Sequence, residues 1–320
     1  MRVSSSNCIT FGCGSSKRSF PSRLAASLYK ETSAPSLQRA GRVARTGLRC
    51  METGGVGHAW GIFRSMRLHC QSLGAGLPVL ILHGLFGSSD NWLGFARNLA
   101  SQYRVLVPDF RNHGKSPHSA EMNYPVMAED LRELLDKHRA QSATVIGHSM
   151  GGKVAMQLAL DHPERVSGLV VVDIAPRRYD RKHDHILSGL LGLDISRQKT
   201  RLEIETALSP SIPDSAVRRF LLKGVESDGQ GGFRWRMGIR EIAENYDRLG
   251  EAVHSSNPFQ EPVLFIRGER SDYIASTDEP AIRRLFPKAH FAAIPRAGHW
   301  VHADNPGEFE ETVMRWLSVS

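Results

Sequence analysis

Residues 147–154 read "GHSMGGKV", and two incompatible parses compete for them. As Gly147-x-x-x-x-Gly152-Lys153 the stretch is one residue short of a phosphate-cradling P-loop, which needs Ser or Thr next to hold Mg²⁺ and finds Val154. As Gly147-x-Ser149-x-Gly151 it is a nucleophile elbow, a cramped strand-to-helix turn that lifts a hydroxyl clear of a sheet. Such a bend closes only if small residues flank the serine, and Gly147 and Gly151 do so. It also aims the backbone N–H of the following residue, Met150, at the place where negative charge develops on a reacting carbonyl. Chemistry favours the elbow, because Val154 leaves the alternative without its metal-binding hydroxyl.

An elbow makes demands on the rest of the chain. A second oxyanion donor belongs after an earlier strand, and "HGLFGSSDNW" (83–92) follows the apolar run 77–82 as required. The expected donor there is the N–H of Leu85, with Phe86 as the alternative. His83 is expected to brace this loop rather than act as a base, and His83, His148 and Trp300 are candidates for lining the substrate pocket. The base should lie C-terminal to the nucleophile, since elbow enzymes run Ser, acid, His along the chain. His299 in "PRAGHWVHAD" (295–304) has the right order and loop position; His302 is expected at a surface or a helix start. Two acids qualify. Asp173 ends the apolar strand "VVVDIAP", where a carboxylate must find a partner or suffer desolvation. Asp272 in "IRGERSDY" follows the penultimate strand and stays open as the alternative. The acid would hold His299 in one tautomer while His299 takes the Ser149 proton and passes it to the leaving group. Asp109 and Arg111 of "PDFRNHGKS" are expected to pair and pin their loop. "HDH" (183–185) reads as solvated helix surface, and no metal site is expected.

Working outward, short apolar runs alternate with amphipathic stretches over residues 58–176 and again over 258–320. Strands apolar on both faces and separated by helices imply an α/β fold with a mostly parallel sheet covered on both sides. Residues 177–257 break the rhythm with charged helical pieces and a Gly-rich turn, "SDGQGG", and are expected to form an inserted helical lid.

The net charge of +8 would suggest an anionic partner, but residues 1–50 carry nine Lys/Arg against Glu31 alone. The remaining chain has 32 basic and 32 acidic residues, so a nucleic-acid role loses its support. The leader also holds ten serines and no long apolar run, the composition of an organelle transit peptide. Chloroplast stroma is the expected destination, the mitochondrial matrix the alternative. Of the four cysteines only Cys70 lies beyond residue 50, which excludes an internal disulfide in a processed chain. No segment approaches the length a membrane span needs.

Through "HGLFGSSDNW", "DFRNHGKSP", "NYPVMAEDL", "GHSMGGK", "VVDIAP" and "AGHWVHAD" the chain resembles the alpha/beta-hydrolase superfamily. Within it the resemblance is to the YbfF-type esterases and the alpha/beta-hydrolase-domain protein eleven group, over roughly residues 60–317. That resemblance implies hydrolysis of small-molecule acyl esters or thioesters with no metal or organic cofactor. It carries over to Ser149 and His299, and matches Asp173 to the YbfF-type acid, while Asp272 matches the usual superfamily position. The alternatives are a ligand receptor of the same fold with little turnover and a carbon–carbon bond hydrolase.

Overall fold

The computed structural model describes residues 66–318, so the expected leader at 1–50 lies outside the described residues. The chain opens with strand β1 (Cys70–Leu73), then β2 (Pro78–Leu82), helix α1 (Leu93–Leu99), β3 (Arg104–Pro108) and α2 (Tyr124–Lys137). It continues through β4 (Ala143–His148), α3 (Met150–Asp161) and β5 (Val166–Val172). The intervening segment holds α4 (Asp184–Gly192), α5 (Arg201–Leu208), α6 (Ser215–Leu222), β6 (Val225–Ser227), β7 (Phe233–Trp235), α7 (Ile239–Glu244) and α8 (Tyr246–Gly250). The last part runs β8 (Val263–Gly268), α9 (Glu279–Leu285), β9 (Ala289–Ile294), α10 (Val301–Asp304) and α11 (Pro306–Leu317).

Seven strands form one sheet in the order β1-β3-β2-β4-β5-β8-β9. Only β1 is antiparallel to its neighbour; the other pairings are parallel. The central strands are apolar on both faces because helices cover both, and Val79, Leu80, Ile81 and Leu82 of β2 are all buried. Helix α2 starts where Asn123 accepts the Val126 N–H at 3.0 Å, with Pro125 in the first turn. Its Tyr124, Met127, Leu131, Leu134 and Leu135 recur at helical spacing and turn one stripe into the core. Helix α3 is buried from Met150 to Leu160, wedged between α2 and the sheet.

Strands β5 and β8 are hydrogen-bonded neighbours, Leu169 opposite Val263, although the whole insertion separates them in sequence. The insertion is not purely helical. Residues 225–227 and 233–235 pair as an antiparallel hairpin, because Gly229 and Gly231 adopt positive φ (78° and 89°) and Asp228 caps the turn. Its Oδ1 accepts the Gln230 N–H at 2.7 Å and the Gly232 N–H at 2.9 Å.

Asp109 and Arg111 do not pair with each other. Arg111 instead clasps Asp130 of α2 with two parallel bonds of 2.8 Å, and both side chains are almost wholly buried. Asp109 accepts the backbone N–H groups of Ser89 (2.6 Å) and Lys115 (2.8 Å), so each residue pins a different loop. Burial pushes the Asp130 carboxyl above its ordinary range against the pull of Arg111. Asp130→Asn would therefore leave a guanidinium buried without its counter-charge, and urea unfolding should show a loss of about 3–5 kcal/mol.

Candidate active site

The site lies along the C-terminal ends of five strands that are adjacent in the sheet: β2, β4, β5, β8 and β9. Ser149 sits between β4 and α3 with φ 53° and ψ −121°, a backbone state rarely tolerated by a residue with a side chain. Crowding explains why its neighbours are glycines. A Cβ at Gly147 would strike the Gly151 backbone, and one at Gly151 would strike the carbonyls of His83 and Leu82. A Cβ at Gly84 would come within 2.9 Å of His148 Nδ1 and 3.3 Å of Ser149 Cβ, so the adjacent loop also approaches too closely for a larger residue.

His299 Nε2 lies 3.0 Å from Ser149 Oγ, and His299 Nδ1 lies 2.8 Å from Asp173 Oδ2. With Nδ1–H donating to the carboxylate, Nε2 is left as the acceptor for the serine hydroxyl. Asp173 is completely buried, at the end of β5 with φ 54°, and its burial is offset by donors. Gly268 N–H donates to Oδ1 at 3.0 Å, and the Ser271 hydroxyl donates to Oδ2. The Tyr273 ring stacks on His299 at 3.8 Å between centroids and 19° between planes, which fixes the imidazole face.

Asp272, the alternative acid, is not part of this arrangement. Its side chain is 79% exposed and pairs with Lys182 at 3.1 Å. The loop after β8 does serve the acid, but through Ser271 and Gly268, because side chains on adjacent loop residues diverge and Asp272 points to solvent. Phe86 also fails as an oxyanion donor, since its N–H is already given to His113 Nε2 at 3.2 Å. Burial draws the His113 imidazole down to about 3, which keeps it neutral and available as that acceptor. The N–H groups of Leu85 and Met150 have no acceptor among the described residues, and both residues line a cavity with Ser149.

The expected pocket residues separate by role. His83 is a brace: its Nδ1–H donates to the Gly84 carbonyl at 2.8 Å and its Nε2 accepts the Phe110 N–H at 3.1 Å. Buried His148 donates from Nε2 to the His299 carbonyl at 2.8 Å, tying the base's backbone to β4. Burial holds the His148 imidazole well below its usual range, so the tie is neutral. Trp300 lines the cavity and packs at 5.4 Å on Phe220 of α6. His302 does fall in a short helix, α10, but is stacked on Trp92 at 4.1 Å rather than displayed at the surface. His183 is likewise half-buried, bonded to Tyr246 Oη at 2.7 Å, and only His185 of that pair is exposed. Among the described residues no cluster of His, Cys, Asp or Glu is placed to hold a metal ion.

Two cavities meet at Ser149 and share Leu85 and His183. The larger, about 300 Å³, is walled by Met150, Lys153, Tyr124, Tyr179 and Tyr273. The smaller, about 120 Å³, is walled by Trp92, His148, Phe220, His299 and Trp300. Helices α4, α6 and α8 of the insertion contribute to these walls, so the inserted segment helps enclose the space in front of Ser149. Sequence reasoning missed Ser271, Tyr273 and Lys153. The first two flank Asp272 in the very loop scrutinised for an acid, and Lys153 was read only as part of a failed P-loop.

Residues 78–203 match the alpha/beta hydrolase fold family. The similarity extends further in full-length relatives: the zebrafish (Danio rerio) protein named sn-1-specific diacylglycerol lipase ABHD11 is 38% identical over 252 residues, 76% of this chain and 79% of that one. The chain belongs to the alpha/beta-hydrolase family. Within the family it falls in the ABHD11 and YbfF group, since Esterase YbfF of Escherichia coli K12 is 36% identical over 242 residues, 75% of this chain and 93% of the other. Among solved structures of the family, a marine microorganism esterase superposes with a TM-score of 0.77 at 42% identity, covering 78% of this hydrolase and 99% of its own chain.

The two acids are separable by experiment. Asp173→Asn should lower kcat by about 10⁴-fold by stranding His299 in the wrong tautomer, whereas Asp272→Asn should leave kcat within about threefold because an exposed ion pair is worth little; steady-state turnover of a p-nitrophenyl ester distinguishes them.

Proposed function

We propose that this hydrolase cleaves carboxyl esters or thioesters of acyl substrates through a covalent acyl-enzyme. The carrying observation is the continuous relay from the Ser149 hydroxyl through His299 to the buried Asp173, with hydrogen bonds of 3.0 and 2.8 Å. The names of the relatives, lipase and esterase, support the same chemistry.

In this reading Ser149 Oγ attacks the substrate carbonyl while its proton passes to His299 Nε2. The carbonyl oxygen becomes an oxyanion, which the N–H groups of Leu85 and Met150 stabilise from a fixed backbone. Collapse of the tetrahedral intermediate expels the alcohol or thiol, which takes the proton from His299. Water then enters, gives its proton to Nε2, and attacks the acyl carbon to release the acid and regenerate Ser149. Asp173 stabilises the imidazolium that forms twice per cycle. The two cavities give the acyl group and the leaving group separate places on either side of the nucleophile, and the larger one falls at the small end of the range for small-molecule sites.

Ser149→Ala should reduce turnover of p-nitrophenyl esters by at least ~10⁴-fold with folding intact, and should abolish labelling by a fluorophosphonate probe; a variant that keeps wild-type turnover would sink the relay.

The basic, serine-rich segment 1–50 supports an organelle address as a further part of this proposal, chloroplast stroma ahead of mitochondrial matrix. A fluorescent protein carrying residues 1–58 should colocalise with plastids in plant cells, and a diffuse cytosolic signal would argue against any organelle address.

A further inference from the structure

Lys153 is one of the largest fully buried side chains of the protein, and it lines the larger cavity together with Ser149. Its ammonium meets no carboxylate among the described residues. Instead Nζ donates to the backbone carbonyls of Gly250, at 3.3 Å, and Glu251, and lies 4.9 and 5.3 Å from the ring centres of Tyr179 and Tyr124. An ammonium has three protons, and two carbonyls leave one for the cavity. Tethering the end of the insertion to α3 accounts for the two carbonyl bonds but not for the choice of a full charge, since burying a cation without a counter-charge is costly. Burial, helped by the Arg177 charge and opposed by the Glu251 carboxylate, draws the Lys153 ammonium down to about 7.

Position adds to the case. Lys153 follows Ser149 by four residues, in the first turn of α3, and both side chains line the same cavity. Arg178, which makes no ion pair among the described residues, lies exposed on the same cavity's lining, as do Arg181 and Lys182, against Asp180 and Asp247. Arg181 pairs with Asp184 and Asp247, and Lys182 with Asp272, so Lys153 and Arg178 are the cations of this wall without an ion pair among the described residues, and Lys153 is the buried one.

We propose that Lys153 determines specificity by binding a second carboxylate on the acyl group, so that the preferred substrates are half-esters or half-thioesters of short dicarboxylic acids. This rests on the serine-hydrolase reading and narrows its substrate. A ligand carboxylate supplies the contacting counter-charge that Lys153 lacks among the described residues, and the cavity of about 300 Å³ that both Ser149 and Lys153 line limits the linking acyl chain to a short one.

The test compares 4-nitrophenyl hemiglutarate with 4-nitrophenyl valerate, which differ only in the carboxylate or methyl at the far end of the acyl chain. Wild-type enzyme should favour the hemiglutarate by ~10-fold or more in kcat/KM, the scale of one charged hydrogen bond. Lys153→Met should reduce that ratio to about one, and Lys153→Arg should retain part of it. A ratio near one in wild type, or one unchanged in Lys153→Met, overturns the proposal. Should Lys153→Met fail to fold, competitive inhibition of wild-type valerate-ester turnover decides instead: glutarate should bind ~10-fold or more tightly than valerate, and equal inhibition constants overturn it. Turnover of the valerate ester without preference for the anion defeats only this inference, whereas no turnover of either ester defeats the hydrolase reading beneath it.

Discussion

Close approach of three backbones around Ser149 is the constraint on which the molecule depends. The Gly151 end of α3 presses on the carbonyls that finish β2, and Gly147 presses on Gly151, with no room for a Cβ at either place. Holding a non-glycine residue at φ 53° costs on the order of 1–3 kcal/mol. That cost is met by a helix buried along nearly its whole length. The hydroxyl is thus placed by main-chain packing, and little of its position is left to side-chain freedom.

From that fixed point the sheet order supplies everything else. Strand β4 leads into Ser149; β2 on one side leads into the loop of Leu85; β5, β8 and β9 on the other lead to Asp173, to the groups that bond it and to His299 in turn. Neighbouring parallel strands stand a hydrogen bond apart, so residues at their C-terminal ends gather without long side chains having to reach. The buried Asp173 carboxylate is surrounded by a backbone N–H, a hydroxyl and an imidazole N–H. The N–H comes from the last residue of β8, and the other two come from the loops that follow β8 and β9.

Much of this was legible in advance, for identifiable reasons. Gly147, Ser149 and Gly151 announce the bend through local sterics, and the apolar runs announce buried parallel strands because neither face of such a strand meets water. His299 was legible from chain order. The choice between Asp173 and Asp272 was not settled by pattern, because which loop residue turns inward depends on the path after β8, and there the inward residue is Ser271. Phe86 and Leu85 were inseparable for the same reason, until the His113 acceptor showed which N–H is already spent. The Arg111 partner lay on α2, a contact that only tertiary packing creates. The hairpin at 225–235 escaped notice because each strand is three residues long, too short for a periodicity to register.

The spacing of the catalytic relay along the chain has a temporal meaning. Asp173 and His299 are 126 residues apart, and Ser149 and His299 150 apart, with the base close to the C-terminus. Pairing β5 with β8 must also close the long insertion into a loop before the base can arrive, which places these contacts among the most non-local in the fold. During synthesis, then, Ser149 is made well before His299, the residue whose ring meets its hydroxyl in the folded chain. With His299 in the loop that follows β9, the contact between the two waits on the docking of that strand, which makes it one of the late events in assembling the fold.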